Sequence, residues 1–151
     1  MRELIFVSPS AIDSVRVAEN VCIAKTFFEL NEQAGIQRRR TITWNIVPWY
    51  IGSSSRIRPA NSRDIEDGFR FLDSLFDLLP RLRAIVLVGR KAQRASIHIE
   101  KVRPNIRLFM CPHPSPLFVN HSPFNREKIL LVLQQLRDYL KDNGCEAGKR
   151  R

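Results

Sequence analysis

The chain has 151 residues, of which 44% are hydrophobic, and this suits one domain with a buried core and argues against wholesale disorder. No apolar run approaches the roughly 18 residues of a membrane-spanning helix, and the apolar N-terminal stretch is too short for a signal peptide. Lysine and arginine number 25 against 15 aspartate and glutamate, a net charge of +10. We therefore predict a cytoplasmic protein without membrane contact that either binds nucleic acid or has a generally basic surface.

The cysteines Cys22, Cys111 and Cys145 are odd in number and widely spaced. This arrangement fits neither a disulfide framework nor a Cys-x-x-Cys metal site. Free thiols buried in the core are the simplest interpretation, and we expect no metal and no cofactor.

Apolar spacing, β-branched runs and Gly or Pro stops predict elements that alternate along the chain. The predicted strands cover residues 4–7, 41–47, 84–88 and 106–111. The predicted helices run from Val17 to a stop at Gly35, from about Ser62 to Leu79, and from Pro123 to a stop at Gly144. A long loop covers residues 49–61, and a short basic helix carrying Arg90, Lys91 and Arg94 follows Gly89.

This alternation predicts an α/β fold with a central, mainly parallel sheet covered by helices on both faces, a three-layer αβα architecture. We expect one domain over residues 1–143 and a basic tail over 144–151. Ligands of such sheets bind beyond the carboxyl ends of the strands. The segments at those ends are 45–49, 89–94 and 112–117.

His113 stands between Pro112 and Pro114 at the end of the last predicted strand. Prolines stiffen the backbone and remove amide donors, so the imidazole is held in a defined place. Such a histidine can direct a ring N–H at a developing oxyanion. It can equally be a solvated side chain in a proline-rich turn, and its residue type alone leaves both interpretations open.

Asn45 lies inside an apolar strand, between Trp44 and Ile46. A carboxamide there is costly unless its donor and its acceptor both find partners. It forms either a structural hydrogen bond or a contact with a ligand such as the Watson–Crick edge of a pyrimidine. The loop that follows mixes aromatic and cationic residues, as single-strand nucleic-acid binders do; these are Trp49, Tyr50, Arg56 and Arg58.

Together these segments resemble the uracil-DNA glycosylase superfamily. Residues 112–117, Pro-His-Pro-Ser-Pro-Leu, are similar to its His-Pro-Ser-Pro-Leu loop, and residues 45–49, Asn-Ile-Val-Pro-Trp, are similar to its strand-end asparagine segment. The strand and turn around residues 89–92, Gly-Arg-Lys-Ala, resemble the segment between them in bacterial members. Order and spacing agree from about residue 6 to residue 140.

The resemblance implies roles for individual residues. Phe6 would stack on the extruded uracil, and Asn45 would read the uracil edge and reject cytosine. His113 would hydrogen-bond uracil O2 as charge collects on the leaving base. The residues expected to contact DNA are Ser115 at a phosphate, Leu117 as an apolar wedge in the duplex, Arg90 and Lys91.

The activity implied by the resemblance is base excision: uracil is flipped from DNA and its N-glycosidic bond is hydrolysed by a monomeric enzyme. Family enzymes position the attacking water with a Gly-Pro-rich loop just ahead of the stacking aromatic, and only five residues precede Phe6. We therefore expect an N-terminally shortened member or a reading frame that starts upstream, with Asp13 and Asp64 as candidate substitutes. The iron–sulfur cysteines of some branches are absent, so no cluster is expected.

Two alternatives remain. A non-catalytic relative could bind DNA or uracil after losing the water-activating loop. The second alternative is an unrelated flavodoxin-like or Rossmann-like domain that binds a nucleotide. The lack of a Gly-rich phosphate-binding motif argues against this alternative.

Overall fold

One four-stranded parallel sheet forms the centre of the protein. The structure is a computed structural model that describes residues 3–8, 17–53 and 58–146, without the side chains of 17–23 and 143–146. The strands are β1 (Leu4–Ser8), β2 (Thr41–Asn45), β3 (Ala84–Val88) and β4 (Arg107–Cys111), in the order β2-β1-β3-β4. All neighbouring pairs are parallel, so the four carboxyl ends lie at one edge of the sheet. The predicted α/β class is confirmed.

Helices cover both faces of the sheet. They are α1 (Val17–Gln33), α2 (Ser62–Asp77), α3 (Arg90–Gln93), α4 (Ser96–Val102), α5 (Pro116–His121) and α6 (Pro123–Glu146). One core joins α1, α5 and α6 to the sheet, and the other joins α2, α3 and α4 to the opposite face. Because successive strand residues point to opposite faces, β3 sends Val86 into the first core and Leu87 into the second. The three-layer architecture is confirmed.

The structure differs from the prediction at several helices. α4 and α5 were not predicted. α5 has clear start signals in a serine N-cap, Ser115, and a proline at its first position. α6 continues past Gly144, where a stop was predicted, because a helical glycine costs only about 1 kcal/mol relative to alanine. None of the described helices is long and apolar enough to cross a membrane.

Gly68 allows α2 to approach the end of β2 very closely. A Cβ atom at position 68 would lie 2.0 Å from the carbonyl oxygen of Ile46. The Ile46 N–H in turn donates to the carbonyl oxygen of Ser8, at 2.8 Å. The glycine therefore helps to hold the ends of β1 and β2 in place beneath the polar residues at that edge.

Cys111 is a free thiol buried in the core at the end of β4. Burial raises its pKa to about 12, so the thiol is protonated and unreactive near neutral pH. The buried-thiol prediction is confirmed for Cys111, whereas the side chains of Cys22 and Cys145 lie outside the described residues.

Candidate functional site

Four residues gather at the carboxyl edge of the sheet, and we call them the carboxyl-edge site. Ser8 ends β1 and Asn45 ends β2, while Gly89 directly follows β3 and His113 lies two residues beyond β4. Asn45 ends the outer strand β2 and His113 follows the other outer strand, β4; three strand spacings of about 4.8 Å separate these two strands. The two residues therefore flank the ends of the inner strands β1 and β3 at this edge.

Ser8 orients the carboxamide of Asn45. The two residues are in register across β1 and β2, and the Ser8 hydroxyl donates to Asn45 Oδ1 at 2.8 Å. Among the described residues Asn45 Nδ2 has no hydrogen-bond partner, so its N–H groups remain available. Sequence reasoning missed Ser8 because the predicted strand ended at Val7, and the pairing register cannot be seen in one chain segment.

Gly89 makes room for His113. The glycine has a positive φ of 82°, and a Cβ atom there would lie 3.1 Å from the Cβ atom of His113. Its N–H donates to the carbonyl oxygen of Cys111 at 2.8 Å, and Gln93 Nε2 donates to the same oxygen at 3.2 Å. These bonds tie the turn after β3 to the end of β4, from which His113 projects.

The His113 imidazole is neutral near pH 7. Burial lowers the pKa of this side chain from its ordinary value of 6.5, because the charged form is poorly solvated. Within the described part of the chain, the ring forms no hydrogen bond. A neutral imidazole of this kind keeps one N–H to donate and one nitrogen to accept.

The start of α5 lies three residues beyond His113 and presents an apolar side chain to solvent. Leu117 is 89% exposed. Ser115 caps the helix, since its hydroxyl oxygen accepts a hydrogen bond from the Phe118 N–H at 3.3 Å. The cap fixes the direction in which Leu117 projects, and the serine hydroxyl hydrogen remains able to donate to a phosphate.

Arg90 and Lys91 begin α3 immediately after Gly89, at the same edge of the sheet. Arg90 is exposed and Lys91 is half-buried. Both cations therefore lie on the side of the molecule where Asn45 and His113 project.

Phe6 does not join these residues. It lies two positions before the end of β1, is 3% exposed, and packs edge-on against Phe27 with ring centroids 4.7 Å apart. The ring belongs to the core on the α1 face of the sheet and also lines a cavity there, and its stacking on uracil stays a prediction.

The position of β1 also changes where a water-activating loop should be sought. Glu3 precedes β1 at the amino edge of the sheet, where it pairs with Arg40, on the side opposite His113. The chain leaves β1 toward the carboxyl edge, so the segment after Ser8, and not the segment before Phe6, continues from the site. That segment, residues 9–16, contains Asp13 and lies outside the described residues.

Asp64 has a structural role, and this argues against it as a candidate for water activation. Its carboxylate accepts hydrogen bonds from both terminal nitrogens of Arg58, and it forms a reciprocal capping box with Asn61 at the start of α2. The pKa of Asp64 is lowered to about 2, first by the Arg58 hydrogen bonds and then by the Asn61 N–H. A carboxylate so poor as a base and so fully bonded does not suit water activation.

The loop after β2 is largely occupied by its own contacts. Arg58 is bound to Asp64, and Trp49 packs against Phe71 with ring centroids 5.5 Å apart. Tyr50 remains exposed although its hydroxyl donates to the Ser53 carbonyl oxygen. Arg56 lies outside the described residues. The predicted mixture of free aromatics and cations is therefore reduced to Tyr50 among the described residues.

The fold and the site define a parallel α/β protein with polar residues at the carboxyl ends of its strands. The sequence profile of the uracil DNA glycosylase superfamily matches residues 4–137, most of the chain. The chain belongs to that superfamily, which confirms the resemblance seen in its motifs.

A solved structure supports the fold assignment. The chain is similar to a solution NMR structure from Methanosarcina acetivorans described as a candidate uracil DNA glycosylase, with a TM-score of 0.58 and 16% sequence identity. The match covers 90% of this chain and 91% of that chain. No curated protein sequence matches the chain.

Proposed function

We propose that this protein is a uracil-DNA glycosylase that binds a flipped uracil between Asn45 and His113. Superfamily membership supports a glycosylase-like function. The observation that carries the proposal is the carboxyl-edge site itself. Ser8 holds Asn45, Gly89 makes room for His113, and both Asn45 Nδ2 and the His113 ring lack a hydrogen-bond partner among the described residues.

Asn45 would discriminate uracil from cytosine. With Oδ1 bonded to Ser8, the amide presents Nδ2 as a donor to the carbonyl oxygen at position 4 of uracil. Cytosine carries an amino group at that position, so two donors would face each other. A buried donor left without a partner costs about 1–3 kcal/mol, which is enough to reject cytosine about 5- to 150-fold.

His113 would stabilise the departing base. As the N-glycosidic bond breaks, the sugar gains oxocarbenium character and negative charge collects on the uracil. The neutral imidazole donates its N–H to uracil O2 without bringing a charge that must first be desolvated. A single preorganised donor of this type lowers the activation free energy by about 3–4 kcal/mol.

The residues around the site would hold the DNA with the base extruded. Leu117 would enter the space that the base leaves, as the first exposed large apolar residue after His113 along the chain. Arg90, Lys91 and the Ser115 hydroxyl would contact phosphates on either side. This role predicts a monomeric, cytoplasmic repair protein.

Asp13 is our candidate for positioning the attacking water. It follows Ser8 by five residues, and a chain of that length reaches at most about 18 Å. Asn45 and His113 both fall within that radius of Ser8 on the strand spacings given above. Asp13 and Asp64 were the two acids considered for this role. Asp64 is bound to Arg58, which leaves Asp13.

A single-turnover assay of uracil release from a uracil-containing single strand tests the proposal. We expect the wild type to release uracil, His113→Ala to slow release about 10²–10³-fold, and His98→Ala to change it little. Asn45→Asp should lower release and narrow the preference over cytosine, and Asp13→Asn should lower release. His98 is a suitable control because it pairs with Asp73 between α2 and α4.

If the wild type releases nothing but binds uracil DNA more tightly than thymine DNA, the non-catalytic alternative replaces the enzyme. If it does neither, the proposal is wrong.

A further inference from the structure

A groove on the α1 face of the sheet lies near the amino end of β2, away from the carboxyl-edge site. Its cavity volume is about 490 Å³, within the range of about 300–1,000 Å³ that is usual for ligand sites. Phe27, Phe28 and Ile36 form much of its apolar wall, and Thr43 of β2 contributes polar surface. Arg38 lies in the lining, and Glu32 is the acidic residue among the described lining residues.

The groove carries an exposed aromatic ring beneath a guanidinium. Phe28 is 37% exposed, and the Arg38 guanidinium carbon lies 4.4 Å from its ring centroid. Stacking of this kind occupies one face of the guanidinium and leaves its other face and its N–H edge available.

Two of the three consecutive arginines beside the groove keep their charge unneutralised. Arg40 pairs with Glu3, but Arg38 and Arg39 are exposed and form no ion pair within the described part of the chain. Arg39 Nε donates to the neutral side chain of Gln37, at 3.0 Å. The surface around Phe28 therefore combines two free forked cations with a flat stacking platform.

We propose that this groove, through Phe28, Arg38 and Arg39, binds single-stranded nucleic acid at a second surface separate from the carboxyl-edge site. An unpaired base stacks on the Phe28 and Arg38 pair, and neighbouring phosphates bind the guanidinium edges of Arg38 and Arg39. A single strand fits better than a duplex, because paired bases are already stacked on one another. The strong positive charge of the chain complements such a partner.

Fluorescence anisotropy with labelled dT20 tests the proposal. This strand contains no uracil, so the result does not depend on base release. We expect Arg38→Ala/Arg39→Ala to weaken binding about tenfold or more. The slope of log K against log salt should become shallower by about 1.4, since each phosphate contact to a single strand contributes about 0.7. Phe28→Ala should weaken binding at least about fivefold, and Phe28→Tyr, which keeps the ring, should restore it.

The matched control is Arg70→Ala/Lys101→Ala, which removes two exposed charges from α2 and α4 on the other face of the sheet. Arg70 also lies over a phenylalanine ring, that of Phe71, but not in this groove. A clearly smaller loss of affinity for the control supports the proposal. Equal losses for the two double variants would show a nonspecific basic surface and overturn it.

Two further results would also overturn the proposal. One is dT20 binding that is unchanged in both Arg38→Ala/Arg39→Ala and Phe28→Ala, with each variant folded by circular dichroism. The other is a concentration-dependent dimer that Arg38→Ala/Arg39→Ala abolishes in sedimentation, since the groove would then bind a second copy of the chain.

Discussion

The two edges of the same sheet use their polar residues differently. At the amino edge Glu3 lies between Arg40 and Arg83, with carboxylate-to-nitrogen distances of 2.5 and 3.6 Å, so these charges stabilise one another. At the carboxyl edge the Asn45 amide and the His113 ring keep hydrogen-bonding groups that no described residue satisfies. The ion pairs of Glu3 thus hold the fold at the amino edge, although the buried Arg83 Nη2 makes no hydrogen bond with a described residue. At the carboxyl edge the free groups of Asn45 and His113 are available to a ligand.

The largest effect on stability should come from Gly68→Ala. The added Cβ would meet the Ile46 carbonyl oxygen at 2.0 Å, so α2 or the end of β2 must move. We expect a loss of about 3 kcal/mol in the free energy of unfolding, measured by urea denaturation. Glu66→Ala, at an exposed position of the same helix, is the control and should change little. Equal stability of the two variants would refute the close packing described for Gly68.

Gly89→Ala and Gly35→Ala compare the two edges directly. Both glycines have positive φ, 82° and 76°, so each substitution should cost about 1–3 kcal/mol of stability. At Gly89 the new Cβ also presses on His113 at 3.1 Å, whereas at Gly35 it meets only Arg137 Cδ at 3.5 Å.

Uracil release should therefore fall more than tenfold in Gly89→Ala and stay near the wild-type rate in Gly35→Ala. The measurement is single-turnover release at a temperature where both variants are folded. Equal rates would mean that the Gly89 contact does not position His113.

Ser8→Ala should mainly reduce discrimination between bases. Without the hydroxyl, Asn45 Oδ1 loses its donor and the carboxamide can rotate. We expect the preference for uracil over cytosine to fall about fivefold, corresponding to about 1 kcal/mol, in competition binding with matched strands. Ser8→Thr keeps the hydroxyl and should retain the preference. If alanine and threonine behave alike, the hydrogen bond does not set the amide orientation.

Asp64→Asn should have the smallest effect on activity and a pH-dependent effect on stability. The folded-state pKa of Asp64 is about 2 against an ordinary value of 3.8, so its ionised form stabilises the fold above about pH 4. That contribution is lost as the pH falls through about 2. Thermal melts should therefore give a higher melting temperature for the wild type than for Asp64→Asn near neutral pH. The difference between the two melting temperatures should close between pH 4 and pH 2.

Uracil release by Asp64→Asn should stay within about twofold of the wild-type rate. A large loss would show that Asp64 takes part in the reaction. Asn61→Ala removes the cap of the same helix, and we expect it to cost about 1 kcal/mol as a structural reference.

The fold was largely predictable from local pattern. The continuous apolar run of β3 and the helical spacing of α2 and α6 gave the α/β class because burial repeats with the period of each element. α4 was missed because it has seven residues and no side-chain cap, so its start carries no signal. α5 was missed because its proline-rich start was interpreted as a loop.

The site was predictable only in part, since it depends on which strands are neighbours. Asn45 and His113 were identified by their chemistry at the ends of predicted strands. Ser8 and Gly89 act through contacts across the sheet, and one sequence does not show the register of its strands. The burial of Phe6 likewise follows from the central place of β1 in the sheet, which the sequence of that strand does not show.

The most direct test of the account is an NMR titration of the isotopically labelled protein with free uracil. The signals of the Asn45 side-chain amide and the His113 ring should both shift and saturate along one binding curve, while cytosine should need a clearly higher concentration to shift them. Shifts at only one of these residues, or at neither when uracil is in large excess, would contradict a shared pyrimidine cleft at the carboxyl edge.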